Sequence, residues 1–224
     1  MTGARTVGEC QIGAGTLAAE GVIIGHPSKA TLLAERDFHA GRGATVGKRC
    51  ILRSGTVLYE DAVLGDDCQT AHNVVIREGA RIGNGCVFGN GSVIREGAKL
   101  GNNVRMMESV VVAEGAEIGS DVFIGPGVVM TAGRYMTGAL EAAGQMTRRD
   151  AEQMEGEYWT GASVVIESGA RVGSHAVLLA GVRLGANCIV AAGAVVSTDV
   201  PADGMVVGNP ARLMKAPKAQ GARP

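Results

Sequence analysis

Aromatic side chains are scarce in this sequence. Phe, Tyr and Trp make up only 3% of its 224 residues, although 46% are hydrophobic. Because ordinary cores use large rings to fill irregular space, their scarcity predicts a narrow, regular core of aliphatic side chains. An excess of basic residues is also missing, and the net charge of −1 argues against nucleic acid or a membrane surface as the partner.

Long hydrophobic runs are absent too. No apolar segment approaches the roughly 20 residues of a membrane span, and the start of the chain does not read as a secretory signal. We therefore expect a cytoplasmic protein. The five cysteines contain no C-x-x-C pair and the four histidines are isolated, so we expect neither a disulfide framework nor a metal site.

Large apolar residues, in contrast, recur every six positions. The register begins at Val46, breaks after Met130 and resumes at Ile166, and Thr70 is its one polar member. A period of six fits neither the 3.6 residues of a helix face nor the alternation of a strand. It does fit a short strand followed by a tight corner. The other members are Leu52, Leu58, Leu64, Ile76, Ile82, Phe88, Ile94, Leu100, Met106, Val112, Ile118, Ile124, Val172, Leu178, Leu184, Val190 and Val196.

The residue three positions after each apolar site is usually Gly, Asn or Asp. These residues tolerate left-handed backbone angles, so the pattern predicts a tight corner after every strand. Three strands and three corners close a triangular coil of eighteen residues, which stacks residues eighteen apart in columns. The corner residues are Asp61, Asp67, Gly79, Gly85, Gly91, Gly97, Asn103, Gly115, Asp121 and Gly127.

Two columns have simple interpretations. Three cysteines fall in one column of small buried sites, where we interpret them as structural filler, and the spacing leaves Cys10 and Cys188 unassigned. Four glutamates form another column, whose like charges about 4.8 Å apart would repel unless solvated, so we interpret it as a solvated face. The columns are Cys50, Cys68, Cys86, Val104 and Val122, and Glu60, Glu78, Glu96 and Glu114.

Interruptions of the register divide the chain. Thr147 and Asp150 could cap a short helix within the second interruption. Asn209 and Pro210 read as the N-cap and first residue of a C-terminal helix. The predicted segments are an N-terminal repeat segment (1–25), an excursion (26–39), the main coils (40–130), an inserted arm (131–158), the C-terminal coils (159–207), and a short helix with a basic tail (208–224).

The end of the chain adds a more specific signal. The runs from Gly193 to Pro201 and from Val206 to Arg212 resemble the closing signature of the hexapeptide-repeat acyltransferases. This resemblance implies an all-β fold, a left-handed parallel β-helix. It also implies a homotrimer with active sites between subunits, and acetyl-CoA or another acyl-CoA as cosubstrate.

The order of parts resembles bacterial nucleotide-sugar N-acetyltransferases that modify a 3-amino group. A segment from Asp121 to Thr131 is followed by Arg134, Tyr135 and Trp159, as in that group. The resemblance implies that Arg134 and Tyr135 bind the acceptor. The residues after Thr131 differ from the Asn-Asp and Tyr-Pro-Arg usual there.

One corner column carries groups suited to acyl transfer. His72 follows Thr70 by two residues and has Asn90 one coil away and Glu108 two coils away. A histidine with an ordinary pKa near 6.5 can accept a proton at neutral pH, so His72 is the candidate general base. Asn90 and Glu108 are candidates to bind the acceptor substrate. A surface corner histidine and a solvated carboxylate are the alternatives.

Asn73 next to it has two interpretations. An Asn at this position supplies the left-handed corner, whereas the resemblance makes it a candidate to orient the amine. His175 stands at the equivalent corner position of its own repeat, so we interpret it as structural.

The late coils carry small residues that would let CoA approach the backbone. A basic C-terminal stretch would suit its phosphates. Tight packing and a merely solvated tail are the competing explanations. The candidate CoA ligands are Ala180, Gly181, Ala192, Ser197, Thr198, Arg212 and Lys215.

Together these features predict acyl transfer from acetyl-CoA to a small-molecule amine, an amino sugar or a nucleotide-linked amino sugar. An O-acetyltransferase for a small hydroxylated acceptor and a non-catalytic β-helix scaffold remain open alternatives.

Overall fold

The computed structural model describes residues 3–131, Gly144, Thr147 and residues 163–214. Over these residues the chain winds as a left-handed parallel β-helix with three sheets, which confirms the predicted fold class. Successive strands along the chain go to sheets 1, 2 and 3 in turn, so that each coil adds one strand to each sheet. Strands are numbered in chain order.

Each strand is two to four residues long. Sheet 1 contains β1 (Arg5–Thr6), β4 (Ile23–His26), β7 (Val57–Tyr59), β10 (Val75–Ile76), β13 (Val93–Ile94), β16 (Val111–Val112), β19 (Val129–Met130), β22 (Val177–Leu178) and β25 (Val195–Val196). Sheet 2 contains β2 (Gln11–Ile12), β5 (Thr45–Val46), β8 (Val63–Leu64), β11 (Arg81–Ile82), β14 (Lys99–Leu100), β17 (Glu117–Ile118), β20 (Val165–Ile166) and β23 (Arg183–Leu184). Sheet 3 contains β3 (Leu17–Ala18), β6 (Ile51–Leu52), β9 (Gln69–Thr70), β12 (Val87–Phe88), β15 (Arg105–Met106), β18 (Phe123–Ile124), β21 (Arg171–Val172), β24 (Ile189–Val190), β26 (Met205–Val207) and β27 (Arg212–Met214).

The six-residue register forms the core. The second residue of a strand points inward and is buried, as Leu58, Ile76 and Ile94 are in sheet 1. Stacked positions are eighteen residues apart, and Val57 pairs with Val75. The pattern therefore predicted both the inward face and the strand pairing.

The cysteine column is confirmed as a buried stack. The thiols of Cys50 and Cys68 donate to the carbonyl oxygens of Gly65 and Gly83, at 3.1 and 3.2 Å, and all five cysteines are unpaired. Cys188 is fully buried as well, and burial raises its pKa to about 11, so it is a poor nucleophile.

The predicted left-handed corners are also confirmed. Asn73 has a φ of 58° and His175 a φ of 56°, and Asp, Asn and Gly occupy most other corners. We name the three edges of the prism by the sheets they join: corner 1–2, corner 2–3 and corner 3–1. Each left-handed residue lets the chain turn from one sheet to the next within a few residues.

Both interruptions leave the β-helix at corner 1–2. The first lies between β4 and β5, and the second between β19 and β20, so in each case the chain leaves from sheet 1 and returns to sheet 2. Pairing continues across them, with Ile23 beside Val57 and Val129 beside Val177. The stack is therefore uninterrupted, and the insertions project from one edge.

The first insertion contains α1 (Lys29–Glu35). Ser28 caps it by accepting a hydrogen bond from the Thr31 amide, and Arg36 ends it with a left-handed φ of 53°. No helix among the described residues could cross a membrane. The predicted capping box of Thr147 and Asp150 lies largely outside those residues.

Glu60 corrects the interpretation of the glutamate column as a solvated face. Its side chain is fully buried and accepts hydrogen bonds from the Ser28 amide, the Thr31 hydroxyl and the Arg42 amide, at 3.0, 2.5 and 3.1 Å. A carboxylate can be buried here because the insertion supplies donors that replace water. Glu60 therefore fastens the first insertion to the β-helix.

The rest of the column agrees better with the sequence interpretation. Glu114 has 64% of its side chain exposed. Glu78 and Glu96 are half-buried, and Arg77 pairs with both, at 2.8 and 2.9 Å. These ion pairs offset the repulsion between stacked carboxylates.

We expect Glu60→Ala to lower the free energy of unfolding by about 3 kcal/mol, because the buried donors of Ser28 and Thr31 and the part-buried Arg42 amide lose their acceptor. Urea denaturation at pH 7 measures this change. Glu114→Ala in the same column is the matched control and should change stability by less than about 0.5 kcal/mol. Equal effects of the two substitutions would contradict the role of Glu60 in fastening the first insertion to the β-helix.

The contribution of Glu60 should also depend on pH. Burial alone would raise its pKa, but the hydrogen bonds from Ser28, Thr31 and Arg42 outweigh it and lower the pKa from 4.5 to about 2. A carboxylate with a lowered pKa stabilises the fold fully above pH 4.5 and loses that contribution as the pH falls towards 2. The difference in the free energy of unfolding between the native protein and Glu60→Ala should therefore shrink between pH 5 and pH 3. A constant difference would show that ionised Glu60 does not fasten the first insertion.

The C-terminal helix prediction is wrong for residues 209–214. Arg212–Met214 forms β27, which pairs antiparallel with β26, Val206 lying beside Leu213. The Ala211 amide donates to the Val195 carbonyl at 2.8 Å. Pairing with the open edge of sheet 3 satisfies backbone groups that a short isolated helix would leave exposed. The remaining tail lies outside the described residues.

Candidate active site

His72 lies exposed on corner 3–1, between β9 and β10. Its Nδ1 lies 2.7 Å from the Ser54 hydroxyl one coil below, and its amide donates to Asn90 Oδ1 one coil above at 3.0 Å. The imidazole is therefore oriented through one nitrogen. No hydrogen bond from Nε2 to the described residues occurs, so this nitrogen is available to a reacting group.

Thr70 holds the backbone beneath His72. Its hydroxyl lies 2.8 Å from the hydroxyl of Thr56 and accepts a hydrogen bond from the Arg53 amide at 3.2 Å. Arg53 also donates from its guanidinium to the Thr70 carbonyl at 3.0 Å. The polar residue that broke the apolar register is thus fully satisfied, and it fixes the strand that leads into His72.

Asn73 supplies the left-handed corner after His72. Its amide donates to the Ser54 carbonyl at 3.0 Å, and its side-chain oxygen lies over the space where Gly55 has no Cβ. Any larger residue at position 55 would collide with this oxygen. The structural interpretation of Asn73 is therefore supported by its contacts.

Asn90 and Glu108 follow His72 along the same corner, and both are exposed. The side-chain oxygen of Asn90 accepts a hydrogen bond from the backbone amide of His72, and Glu108 lies one further coil away. The column therefore presents an imidazole, an amide and a carboxylate to solvent at the spacing of successive strands, about 4.8 Å.

The candidate CoA ligands are divided between two corners. Ala192 is exposed on corner 3–1, in the column of His72, whereas Gly181 and Thr198 lie on corner 1–2. Ala180, also on corner 1–2, is fully buried, and its amide donates to the Thr131 hydroxyl at 2.9 Å. Within one protomer the width of sheet 1 separates the two corners.

The other predicted ligands lie on different parts of the chain. Ser197 is half-buried beside Thr198. Arg212 is exposed in β27, and its guanidinium donates to the Ala211 carbonyl at 3.0 Å. Arg134, Tyr135 and Lys215 lie outside the described residues. Among the residues that are described, no three His, Cys, Asp or Glu side chains cluster closely enough to hold a metal ion.

The outer surface of sheet 1 is a feature that the six-residue repeat of buried residues did not predict. The first residue of each strand points outward, and in sheet 1 this residue is aliphatic in every strand after β1. In sheet 2 the same position carries charges such as Arg81, Lys99 and Glu117. The sequence did contain a signal for this surface, because a valine precedes every third residue of the buried register. The outward residues of sheet 1 are Ile23, Val57, Val75, Val93, Val111, Val129, Val177 and Val195.

Comparison with known proteins agrees with this architecture. The family described as bacterial transferase hexapeptide (six repeats) matches residues 61–96, 97–132 and 163–198. A triangular coil with left-handed corners and this repeat defines a hexapeptide-repeat protein. Over these three segments the chain therefore carries the hexapeptide repeats that this family model describes.

Solved structures share the fold at low sequence identity. The polySia-specific acetyltransferase NeuO is 16% identical with a TM-score of 0.52, over 99% of this chain and 85% of its own. UDP-N-acetylglucosamine acyltransferase from Campylobacter jejuni is 14% identical with a TM-score of 0.51, over 96% and 73%. WeeI from Acinetobacter baumannii AYE is 20% identical with a TM-score of 0.39, over 73% of this chain and 59% of its own, so the chain spans less than two thirds of that relative. No protein with a curated function matches the sequence.

Proposed function

We propose that the protein is an acyl-CoA-dependent acyltransferase that N-acetylates an amino sugar or a nucleotide-linked amino sugar with acetyl-CoA. The observation that carries this proposal is the geometry of His72, whose Nδ1 is engaged by Ser54 while Nε2 has no hydrogen-bond partner among the described residues. The match of its repeats to a transferase family model supports the reaction class. A cytoplasmic location fits the use of acyl-CoA.

In the proposed reaction the acceptor amine attacks the thioester carbonyl carbon, forming a C–N bond and an oxyanion. Nε2 of His72 takes the proton that the nitrogen loses. When the oxyanion collapses the C–S bond breaks, and the proton passes from His72 to the CoA sulfur, which leaves as the thiol. A backbone amide near the thioester would stabilise the oxyanion.

Self-association explains why the candidate ligands lie on two corners. Corner 3–1, with His72, is bordered by sheet 1 and by sheet 3, which also exposes apolar residues such as Leu17 and Ile189. We propose a homotrimer that buries these faces and brings corner 3–1 of one protomer to corner 1–2 of the next. One groove would then run from Nε2 of His72 to Ala192, five coils along the same corner, and to Gly181 and Thr198 of the neighbouring protomer, so that CoA would lie along it.

Thiol release from acetyl-CoA tests the proposed activity. We expect release of CoA with an amino sugar or its nucleotide derivative, and a product that keeps its acetyl group in mild alkali. An alkali-labile product would mean O-acetylation instead. Absence of thiol release across amines and hydroxylated acceptors, together with no CoA binding by calorimetry, would favour a scaffold.

A further inference from the structure

A cavity of about 510 Å³ lies beside the first insertion, between α1 and the end of sheet 1. Cavities of this size hold small organic ligands. Apolar and aromatic side chains form most of its wall, and the basic groups around it face no acidic lining residue. The lining residues are His26, Pro27, Lys29, Leu32, Leu33, Arg36, Phe38, Tyr59 and Arg77.

Planar groups form a row along this cavity. The guanidinium of Arg77 lies over the ring of Tyr59, 4.7 Å from its centroid. The ring of His26 is 4.7 Å from Tyr59, and that of Phe38 is 6.3 Å from His26, edge to face. In a chain so poor in aromatic residues, two of them, Tyr59 and Phe38, line this cavity instead of filling the core.

Phe38 and Leu33 are not used to stabilise the fold. They are 61% and 55% exposed, although each is large and apolar. Both residues belong to the first insertion. Glu60, below the insertion, fixes this segment by accepting hydrogen bonds from Ser28, Thr31 and Arg42. Apolar groups that an anchored segment presents at the surface are available to a ligand at a small conformational cost.

The charges at the cavity are positive and only partly neutralised. Arg77 is held by Glu78 and Glu96. Lys29 and Arg36 have no carboxylate within 4 Å among the described residues. A flat apolar surface next to two such cations matches a ligand that combines a planar ring with an anionic group.

We infer that this cavity binds a nucleoside phosphate, with the base against Phe38 and the phosphate near Lys29 and Arg36. Nothing in this inference requires acyl transfer at His72. Two sources share the chemistry: the nucleotide part of a nucleotide-linked acceptor, and the adenosine 3′,5′-bisphosphate part of CoA.

Calorimetric titration of the full chain with UMP, adenosine 3′,5′-bisphosphate, ribose 5-phosphate and inorganic phosphate tests the site. At least one nucleotide should bind, and ribose 5-phosphate should bind about tenfold more weakly because it has no base to stack. Preference for UMP would assign the site to a nucleotide-linked compound, and preference for the bisphosphate would assign it to CoA.

Two variants locate the binding. Phe38→Ala and Arg36→Asn should each weaken nucleotide binding about tenfold, since one removes the stacking surface and the other a cation. Arg49→Asn is the matched control, because Arg49 is also an exposed arginine with a left-handed φ, 54°, but lies outside the cavity. It should bind nucleotide as the native chain does.

Several results would overturn the inference. These are no binding of either nucleotide, equal binding of ribose 5-phosphate, or unchanged binding in Phe38→Ala. Sedimentation would identify one other occupant: a changed assembly in Phe38→Ala without nucleotide binding would assign the cavity to contact between protomers. Failure of the acetylation assay alone would leave these binding results unaffected.

Discussion

His72→Asn is expected to lower kcat for acetyl transfer by about 10² to 10⁴, the usual contribution of a positioned general base. Asparagine retains a polar side chain at the corner but cannot accept the amine proton. The affinity for acetyl-CoA, measured by calorimetry, should change little. Because His72 is exposed, the free energy of unfolding should stay within about 0.5 kcal/mol of the native value.

His175→Asn is the matched control for this experiment. His175 is the other described histidine on corner 3–1, and its left-handed φ of 56° suits asparagine. It should retain native kcat. Unchanged turnover in His72→Asn would remove this residue from the mechanism, while acyl transfer could continue with an acceptor amine of low pKa.

Ser54→Ala separates the orientation of the imidazole from its chemistry. The substitution removes the group 2.7 Å from Nδ1, so kcat should fall, although less than in His72→Asn, and the KM for acetyl-CoA should change little. Ser54→Thr keeps the hydroxyl and should restore part of the loss. Native kcat in Ser54→Ala would show that this contact does not orient the imidazole for catalysis.

The repetitive part of the fold was predictable because each position is determined locally. An aliphatic residue at every sixth place and a left-handed residue three positions later fix the strand, the corner and therefore the pairing eighteen residues away. Cys68 illustrates the reach of this argument: its burial followed from spacing alone. Even Thr70 was recognised as exceptional, although its partners Thr56 and Arg53 became visible only in the structure.

The errors occurred where residues outside the repeat determine the environment. Glu60 occupies a corner position identical to that of Glu114, yet among the described residues only Glu60 is covered by an insertion, which brings Ser28, Thr31 and Arg42 to it. Strand β27 likewise replaces a predicted helix because it finds the free edge of β26. Periodicity identifies an edge or a column, but it carries no information about non-repeating segments that pack against it.

The candidate site was predictable only in part for a related reason. Counting by eighteen placed His72, Asn90 and Glu108 on one corner, and the structure has them there. The same counting could not show that Gly181 and Thr198 lie across sheet 1 from them. Groups on different corners of a prism can meet only through a second protomer, which makes the outer surface of sheet 1 as important to the proposed site as His72 itself.

Val93→Glu is therefore expected to abolish the proposed trimer and to lower activity by about a hundredfold. Val93 points outward at the middle of the aliphatic column, between Val75 and Val111. A carboxylate there would lose its hydration in the assembly without gaining a partner, at a cost of several kcal/mol for each copy. Sedimentation velocity should show monomers at micromolar concentration, with a circular dichroism spectrum like that of the native protein.

Val63→Glu on sheet 2 is the matched control, since it makes the same change at the same outward position of a strand. Its neighbours are Thr45 and Arg81, which leave the new carboxylate solvated beside a cation. This variant should remain trimeric and active, because the charged surface of sheet 2 is not part of the proposed contact. If Val63→Glu dissociated the assembly while Val93→Glu left it intact, the faces would be reversed, and corner 3–1 with His72 would lie away from the contact between protomers. His72 would then have to act within a single protomer, where Gly181 and Thr198 are too distant, on the far side of sheet 1, to bind the same CoA.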